Sequence, residues 1–192
     1  MKSRVVPVLT ARTADEAERA CEAIVAGGLA SVEITFRSDA AVEAIRRASR
    51  IDGLEVGAGT VLSVEQLEAA LDAGATFAVA PSTDPAVVEA AQRLGIQFVP
   101  GAATPSEIDR ARALGCGLVK LFPASLIGGP AFVKAVSAVF PDVRFMPTGG
   151  VTLENLGEYL ALPSVLACGG TWITAEADGI EERARAAAEA AT

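Results

Sequence analysis

The sequence predicts an α/β fold, a single (β/α)₈ barrel, because β-prone and helical segments alternate along its 192 residues at intervals of about twenty residues. The alternation is clearest at Gly74, Gly95 and Gly115, where a helical pattern ends in a glycine and a short β-prone run follows. Glycine at this position supplies the left-handed conformation that ends many helices. The β-prone runs are nearly continuously apolar, as in a parallel sheet covered on both faces. A doubly wound open sheet is the alternative that this pattern leaves.

Eight strands and eight helices follow from the alternation. The predicted strands span residues 4–9, 31–36, 54–59, 76–80, 97–100, 117–122, 143–147 and 165–168. The predicted helices span residues 14–26, 39–49, 63–72, 84–94, 105–114, 129–139, 152–161 and 178–190. Residues suited to cap a helix precede four of them: Thr13, Ser63, Asp84 and Thr104, with Ser63 and Gln66 at capping-box spacing. No linker or second domain is visible, so we expect one barrel domain over residues 1–192.

The amino-acid composition limits the cellular compartment and the binding partners that we expect for this protein. Apolar residues make up 51% of the chain, yet no run reaches the roughly 18 residues that span a bilayer. The first residues, "MKSRVVPVLT", lack the features of a signal peptide. Three widely spaced cysteines indicate reduced thiols and a cytoplasmic location. The net charge of −8 argues against a nucleic-acid partner, because such binding depends on cations that neutralise phosphates.

The sequence contains no histidine. This excludes Ser–His and Cys–His nucleophile pairs and imidazole-ligated zinc, so acid–base chemistry falls to carboxylates, lysine, hydroxyls or water. Unusual residues gather at the carboxyl ends of the predicted strands, where a barrel of this kind places its active site. They are Glu33 and Arg37, Thr60, Lys120, and the stretches "PTGG" (147–150) and "CGGT" (168–171).

Lys120 lies inside an apolar strand, "GLVKLFPAS", in a chain with three lysines. Strand alternation puts Lys120 on the face opposite Val119 and Leu121, and so directs it into the barrel together with Glu33 of "VEITF". One interpretation is a lysine that extends its ammonium to the rim. The favoured one is a nucleophile, since burial favours the neutral amine required for a Schiff base, and arginine does not lose its proton. Glu33 is then either an acid/base or the ion-pair partner of a buried cation.

Two further groups of residues suit the binding of anions. Arg37, at the end of its strand, is placed to bind a carboxylate through two parallel hydrogen bonds, with a surface arginine as the alternative. The glycine pairs at 149–150 and 169–170 follow the seventh and eighth strands, each beside a threonine. In this fold the corresponding loops usually form a phosphate cradle, because glycine lets backbone N–H groups approach an anion closely.

Taken together, these stretches resemble the class I 2-keto-3-deoxy-6-phosphogluconate (KDPG) and 4-hydroxy-2-oxoglutarate aldolases. The resemblance is carried in order by "AGGLASVEITFRS", "VGAGTVL", "FVPGAATPSE", "VKLFPAS", "RFMPTGGV" and "CGGTW". It implies that Lys120 forms the Schiff base and that Glu33 is the general acid/base. It also implies that Arg37 and Thr60 hold the pyruvyl carboxylate, that Thr148 lies beside the Schiff base, and that the phosphate is bound by Gly149, Gly150, Gly170 and Thr171. Thr171 departs from the serine usual in the family but keeps the hydroxyl.

The resemblance also implies the reaction and the assembly. A phosphorylated 2-keto acid would be cleaved to pyruvate and glyceraldehyde 3-phosphate without a metal or cofactor, by a cytoplasmic homotrimer with no nucleic-acid or membrane partner. The "FR" and "PTGG" spellings favour the phosphogluconate over the galactonate substrate. The alternatives are a Schiff-base lyase for 4-hydroxy-2-oxoglutarate or the galactonate epimer, a barrel phosphosugar isomerase or epimerase, and a non-catalytic phosphometabolite-binding protein. The relatives often carry an extra N-terminal helix before the first strand, whereas here Val5 follows four residues.

Overall fold

Parallel strands and helices alternate along residues 1–191, which are the residues described by the computed structural model. The strands are β1 Val5–Leu9, β2 Ser31–Thr35, β3 Glu55–Gly59, β4 Phe77–Val79, β5 Gln97–Val99, β6 Gly101–Ala102, β7 Leu118–Leu121, β8 Arg144–Pro147 and β9 Cys168–Gly170. The helices are α1 Ala14–Ala26, α2 Ala41–Ala48, α3 Val64–Asp72, α4 Pro85–Leu94, α5 Pro105–Ala113, α6 Gly129–Val139, α7 Leu153–Leu160 and α8 Ile180–Ala190. The predicted domain boundary at residue 192 lies outside the described residues.

The strands form a closed ring. Their order is β5-β4-β3-β2-β1-β9 in one sheet and β6-β7-β8 in the other. The first seam lies at Pro100, which has no N–H to donate and so divides one strand into β5 and β6. The second seam is bridged between Phe145 and Val165 and between Thr148 and Gly169. The predicted (β/α)₈ barrel is confirmed, and the open-sheet alternative is wrong.

The last strand differs from its prediction. The apolar pattern predicts residues 165–168, whereas β9 spans Cys168–Gly170. Its pairing with β1 starts at Cys168 opposite Val5, and Val165 makes a single bridge to Phe145. Glycine has a low strand propensity, so the apolar pattern does not include Gly169 and Gly170, although both residues pair with β1. The strand therefore carries its glycine pair to the rim of the barrel.

Helix ends agree closely with the sequence signals. The side chains of Thr13, Ser63, Asp84 and Thr104 each accept a hydrogen bond from a backbone N–H in the first turn of their helix. Gln66 departs from its predicted capping box, because its side chain accepts from Leu62 N at 2.7 Å. Positive φ angles occur at the three predicted C-terminal glycines, at 100° in Gly74, 69° in Gly95 and 84° in Gly115. These compact turns leave short connections between helices and strands.

Apolar side chains fill two regions. The larger cluster lies between the strands and the helices and includes the strand residues Val32, Ile34 and Leu121. The smaller cluster lies inside the barrel and consists of Val6, Phe77, Val79, Val99, Met146 and Ala167. Successive side chains of a β-strand point to opposite faces, so one strand contributes residues to both clusters. Within residues 1–191, no helix is long and apolar enough to cross a membrane.

Candidate active site

Buried polar side chains are rare in this protein. Among the described residues they are Ser31, Glu33, Thr35, Lys120 and Thr148, each at most 4% exposed. Glu33 lies between the outward-facing Val32 and Ile34, so alternation directs it into the barrel as predicted. Buried polar groups are costly unless they are paired, so a concentration of them inside the barrel points to a site.

Lys120 on β7 and Glu33 on β2 meet across the interior. Lys120 Nζ donates a hydrogen bond to Glu33 Oε1 at 3.1 Å and lies 3.5 Å from Oε2. The side chains are 4% and 0% exposed, respectively. Lys120 Nζ also lies 5.7 Å from the centroid of the Phe122 ring, within the range of a cation–π contact. The lysine is therefore held inside the barrel, and the interpretation that it extends to the rim is wrong.

Gly59 on β3 provides the space that the Glu33 carboxylate occupies. A Cβ at residue 59 would lie 2.3 Å from Glu33 Oε1 and 2.5 Å from its Cγ. These distances are much shorter than van der Waals contact, so a larger residue would displace the carboxylate. The absence of a side chain at Gly59 thus helps to set the position of Glu33 opposite Lys120.

Arg37 and Thr60 lie together at the ends of β2 and β3. Arg37 is exposed, and its Nε donates to Thr60 Oγ1 at 3.3 Å. Thr60 has a φ of 58°, the one positive value among the non-glycine residues of the described chain. A β-branched residue is strained in this conformation, and such strain is concentrated at functional sites. The two side chains predicted to hold a carboxylate are therefore adjacent.

The residues predicted to bind a phosphate also lie close to one another. Gly149 and Gly150 have φ angles of 91° and 77°, which favour glycine over every other residue. Thr148 bridges to Gly169, which brings the turn after β8 beside the end of β9. Gly170 is the last residue of β9, and the exposed Thr171 follows it. The two glycine pairs thus lie on neighbouring strand ends, as the sequence predicts.

Two further contacts after the strand ends are not predicted by the sequence. Ser125 lies so close to Gly150 that a Cβ on the glycine would be 1.9 Å from its Oγ. Thr10, after β1, shares a hydrogen bond of 2.7 Å between hydroxyl oxygens with Thr35. Strand alternation continued past the end of β1 identifies Thr10 as inward-facing. The proximity of Ser125 to Gly150 depends on loop geometry, for which the sequence carries no comparable signal.

A (β/α)₈ barrel with a lysine–carboxylate pair inside its carboxyl-terminal mouth has the groups that enzymes forming Schiff bases require. Comparison with known proteins identifies the family. The sequence profile of the family "Aldolase: KDPG and KHG aldolase" matches residues 1–189. The chain belongs to this family.

Individual relatives cover most of the chain. A 2-dehydro-3-deoxy-phosphogluconate aldolase of Treponema pallidum is 46% identical over 172 residues, 88% of this chain and 81% of that protein. The KDPG aldolase of Zymomonas mobilis ZM4, solved with 3-phosphoglycerate, has a TM-score of 0.93 and 37% identity, covering 97% of this chain and 91% of that one. The KDPG aldolase of Legionella pneumophila, solved with pyruvate captured as a covalent carbinolamine, has a TM-score of 0.88 and 36% identity, covering 98% and 92%.

Proposed function

We propose that the protein is a Schiff-base aldolase that cleaves 2-dehydro-3-deoxy-6-phosphogluconate to pyruvate and glyceraldehyde 3-phosphate. The observation that carries this proposal is the buried Lys120–Glu33 pair, with 3.1 Å between Nζ and Oε1. The names of the relatives agree with it, because several are 2-dehydro-3-deoxy-phosphogluconate aldolases. Family membership favours an aldolase over the phosphosugar isomerase and the non-catalytic binding protein that the sequence left as alternatives.

Lys120 is the nucleophile. Its free amine attacks the C2 ketone of the substrate, and the carbinolamine that forms loses water to give an iminium ion. The hydrogen bond from Nζ to Glu33 Oε1 provides a route by which the ammonium gives up its proton. The iminium is itself the electron sink, so this step does not require the polarisation that a metal ion provides in other enzymes.

Glu33 is the general acid/base. It removes the proton of the C4 hydroxyl, directly or through one water, while the electrons of the C3–C4 bond move into the iminium. The hydroxyl carbon leaves as the aldehyde of glyceraldehyde 3-phosphate, and an enamine of pyruvate remains on Lys120. Reprotonation at C3 regenerates the iminium, and its hydrolysis releases pyruvate and the free amine.

The remaining site residues position the two anionic ends of the substrate. Arg37 and Thr60, joined at 3.3 Å, bind the carboxylate next to the ketone. The backbone of Gly149, Gly150 and Gly170 and the hydroxyl of Thr171 bind the phosphate. Thr148, which is buried, lies beside the Schiff base. Fixing both ends places C2 at Lys120, which reduces the entropic part of the barrier.

A second substrate is 4-hydroxy-2-oxoglutarate, since the matching family includes KHG aldolases. This ketoacid carries a second carboxylate in place of the phosphorylated end. We expect kcat/KM to be higher for the phosphorylated ketoacid, because the phosphate gains contacts with the glycine turns. Measuring kcat/KM for both ketoacids, and for the galactonate epimer, determines the preference.

The compartment and assembly are part of the proposal. Cys21, Cys116 and Cys168 are all free thiols, which suits a reducing cytoplasm. The family resemblance implies a homotrimer. Light scattering coupled to gel filtration measures the molar mass in solution and so tests this assignment. A monomer in solution at assay concentration would contradict that assignment and leave the chemistry of the site unaffected.

The experiment on the reaction compares pyruvate release by the wild type, Lys120→Ala and Glu33→Gln. We expect Lys120→Ala to be inactive, because no other amine replaces the nucleophile. Glu33→Gln keeps the size of the side chain and should lower kcat by about 10²–10⁴-fold. Full activity of folded Lys120→Ala overturns the mechanism, and an unchanged kcat in Glu33→Gln assigns Glu33 to structure only.

A further inference from the structure

Thr35 is a buried polar residue with no role in the site proposed above. Ser31 has structural partners, since its Oγ donates to Glu55 Oε2 at 2.9 Å and accepts from Lys2 N at 2.9 Å. Glu33, Lys120 and Thr148 belong to the proposed site. Thr35 is 1% exposed, and its side chain is hydrogen-bonded to Thr10 Oγ1 at 2.7 Å. Thr10 thus supplies the partner that the buried Thr35 hydroxyl needs, and the two threonines form one hydrogen-bonded pair.

The two threonines lie on the wall between the anion-binding ends. β1 pairs with β2 in a register of Val8 to Glu33 and Leu9 to Ile34. Continuing that register places Thr10 beside Thr35, one inward-facing layer closer to the mouth than Glu33. β1 also lies between β2, which leads to the carboxylate-binding residues, and β9, which leads to the phosphate-binding residues. A substrate spanning both ends crosses this wall.

The hydroxyl pair retains hydrogen-bonding capacity. Two hydroxyls have two protons and four lone pairs, and their mutual bond uses one proton and one lone pair. One proton therefore remains for a ligand, together with several acceptor sites. Thr10 is exposed just after the end of β1, so a ligand at the carboxyl end of that strand reaches the pair through Thr10. A ligand hydroxyl, which both donates and accepts, is the group that suits such a pair.

We propose that Thr10 and Thr35 bind the C5 hydroxyl of the substrate, which is the C2 hydroxyl of the aldehyde product. The inference rests on the proposed aldolase function. The C4 hydroxyl is occupied in the proton transfer to Glu33, which leaves the C5 hydroxyl as the free polar group between carboxylate and phosphate. The pair then makes the enzyme selective for a phosphorylated aldehyde that carries a hydroxyl next to its carbonyl.

The test uses the addition of pyruvate to two aldehydes of equal length. Glyceraldehyde 3-phosphate carries the hydroxyl, and 3-oxopropyl phosphate lacks it. We expect Thr35→Val, which conserves shape, to lower kcat/KM for the hydroxylated aldehyde by about 10–100-fold, because a site built to bind a hydroxyl loses its partner. The value for the deoxy aldehyde should change by less than about threefold.

Matched variants separate binding from structure. Thr35→Ser keeps the hydroxyl and should keep the selectivity, and Thr10→Val should reduce it as Thr35→Val does. Thr76→Val is the control, since Thr76 is exposed at the opposite end of the barrel, before β4. Each variant is first shown to form a borohydride-trapped adduct with pyruvate, which reports an intact Lys120 site.

Two outcomes distinguish the inference from the proposed function. If Thr35→Val and Thr10→Val change kcat/KM for both aldehydes equally, or for neither, the pair is structural and the inference is overturned. If the wild type adds pyruvate to neither aldehyde and cleaves no ketoacid, the proposed function itself fails. A loss of selectivity in both valine variants, with trapping retained, supports the role of the pair.

Discussion

Replacing Gly59 with alanine tests how Glu33 is positioned. The added Cβ would lie 2.3 Å from Glu33 Oε1 and 2.8 Å from its Cδ. Non-bonded contacts between heavy atoms are normally about 3.5–4.0 Å, so the carboxylate moves by about 1 Å. Its hydrogen bond from Lys120 Nζ, at 3.1 Å in the wild type, is then lengthened or lost.

A misplacement of about 1 Å at a catalytic group costs about 10²-fold in rate. This factor corresponds to about 2.7 kcal/mol of activation free energy. We predict that kcat for pyruvate release falls by this amount in Gly59→Ala. KM should change little, because the side chains proposed to bind the carboxylate, Arg37 and Thr60, are unchanged. The assay couples pyruvate release to NADH oxidation by a dehydrogenase under saturating ketoacid.

Two controls make the result specific. Gly117→Ala precedes β7, and its Cβ would meet no atom within 4 Å, so this variant should keep wild-type kcat. The double variant Gly59→Ala with Glu33→Gln should be no slower than Glu33→Gln by itself, because both changes act on one carboxylate. A folded Gly59→Ala enzyme with kcat within about threefold of wild type would show that Gly59 does not position Glu33, as would full additivity in the double variant.

Three further predictions concern stability, each measured by urea unfolding. Burial raises the pKa of Cys21 and of Cys168 to about 12 from 9.0. Above pH 9 the unfolded thiols lose protons that the folded ones retain. The free energy of unfolding should therefore fall by about 1.4 kcal/mol per pH unit for each thiol. An equally steep fall with pH in the double variant Cys21→Ala/Cys168→Ala would contradict this. Gly157→Ala, in α7 with open space around the new Cβ, should stabilise the protein by about 0.5–1 kcal/mol, and a loss of stability would show that the space is not free. Thr104→Ala removes the N-cap of α5 and should cost about 1 kcal/mol, with Thr104→Ser as the control that retains the cap.

The sequence predicts the positions that depend on local periodicity. Alternation along β2 and β7 directs Glu33 and Lys120 inward, and both side chains lie inside the barrel. Helix ends are predicted equally well, because a capping threonine or a terminal glycine acts within one turn. These features require no knowledge of which segments become neighbours.

The sequence is less informative where two distant segments determine each other. The bounds of β9 follow from its pairing with β1, which the apolar pattern of residues 165–168 does not record. The contact of Thr10 with Thr35 joins residues 25 positions apart. The need for a glycine at residue 59 arises only because the Glu33 side chain from the neighbouring strand fills the space beside it. Pairing register and side-chain direction create these contacts, so the folded barrel was required to identify them.

Trapping the covalent intermediate on Lys120 tests the Schiff-base mechanism most directly. Pyruvate and borohydride are added to the enzyme, and the reduced product is digested with trypsin and mapped by mass spectrometry. Reduction of the iminium attaches a 1-carboxyethyl group to Nζ, and trypsin does not cleave after the modified lysine. The adduct should therefore appear on the peptide of residues 113–134, cut after Arg112 and Lys134. The exposed Lys2 and Lys134 serve as internal controls. We expect one adduct, on Lys120; an unmodified Lys120 in an enzyme that releases pyruvate would contradict the Schiff-base mechanism.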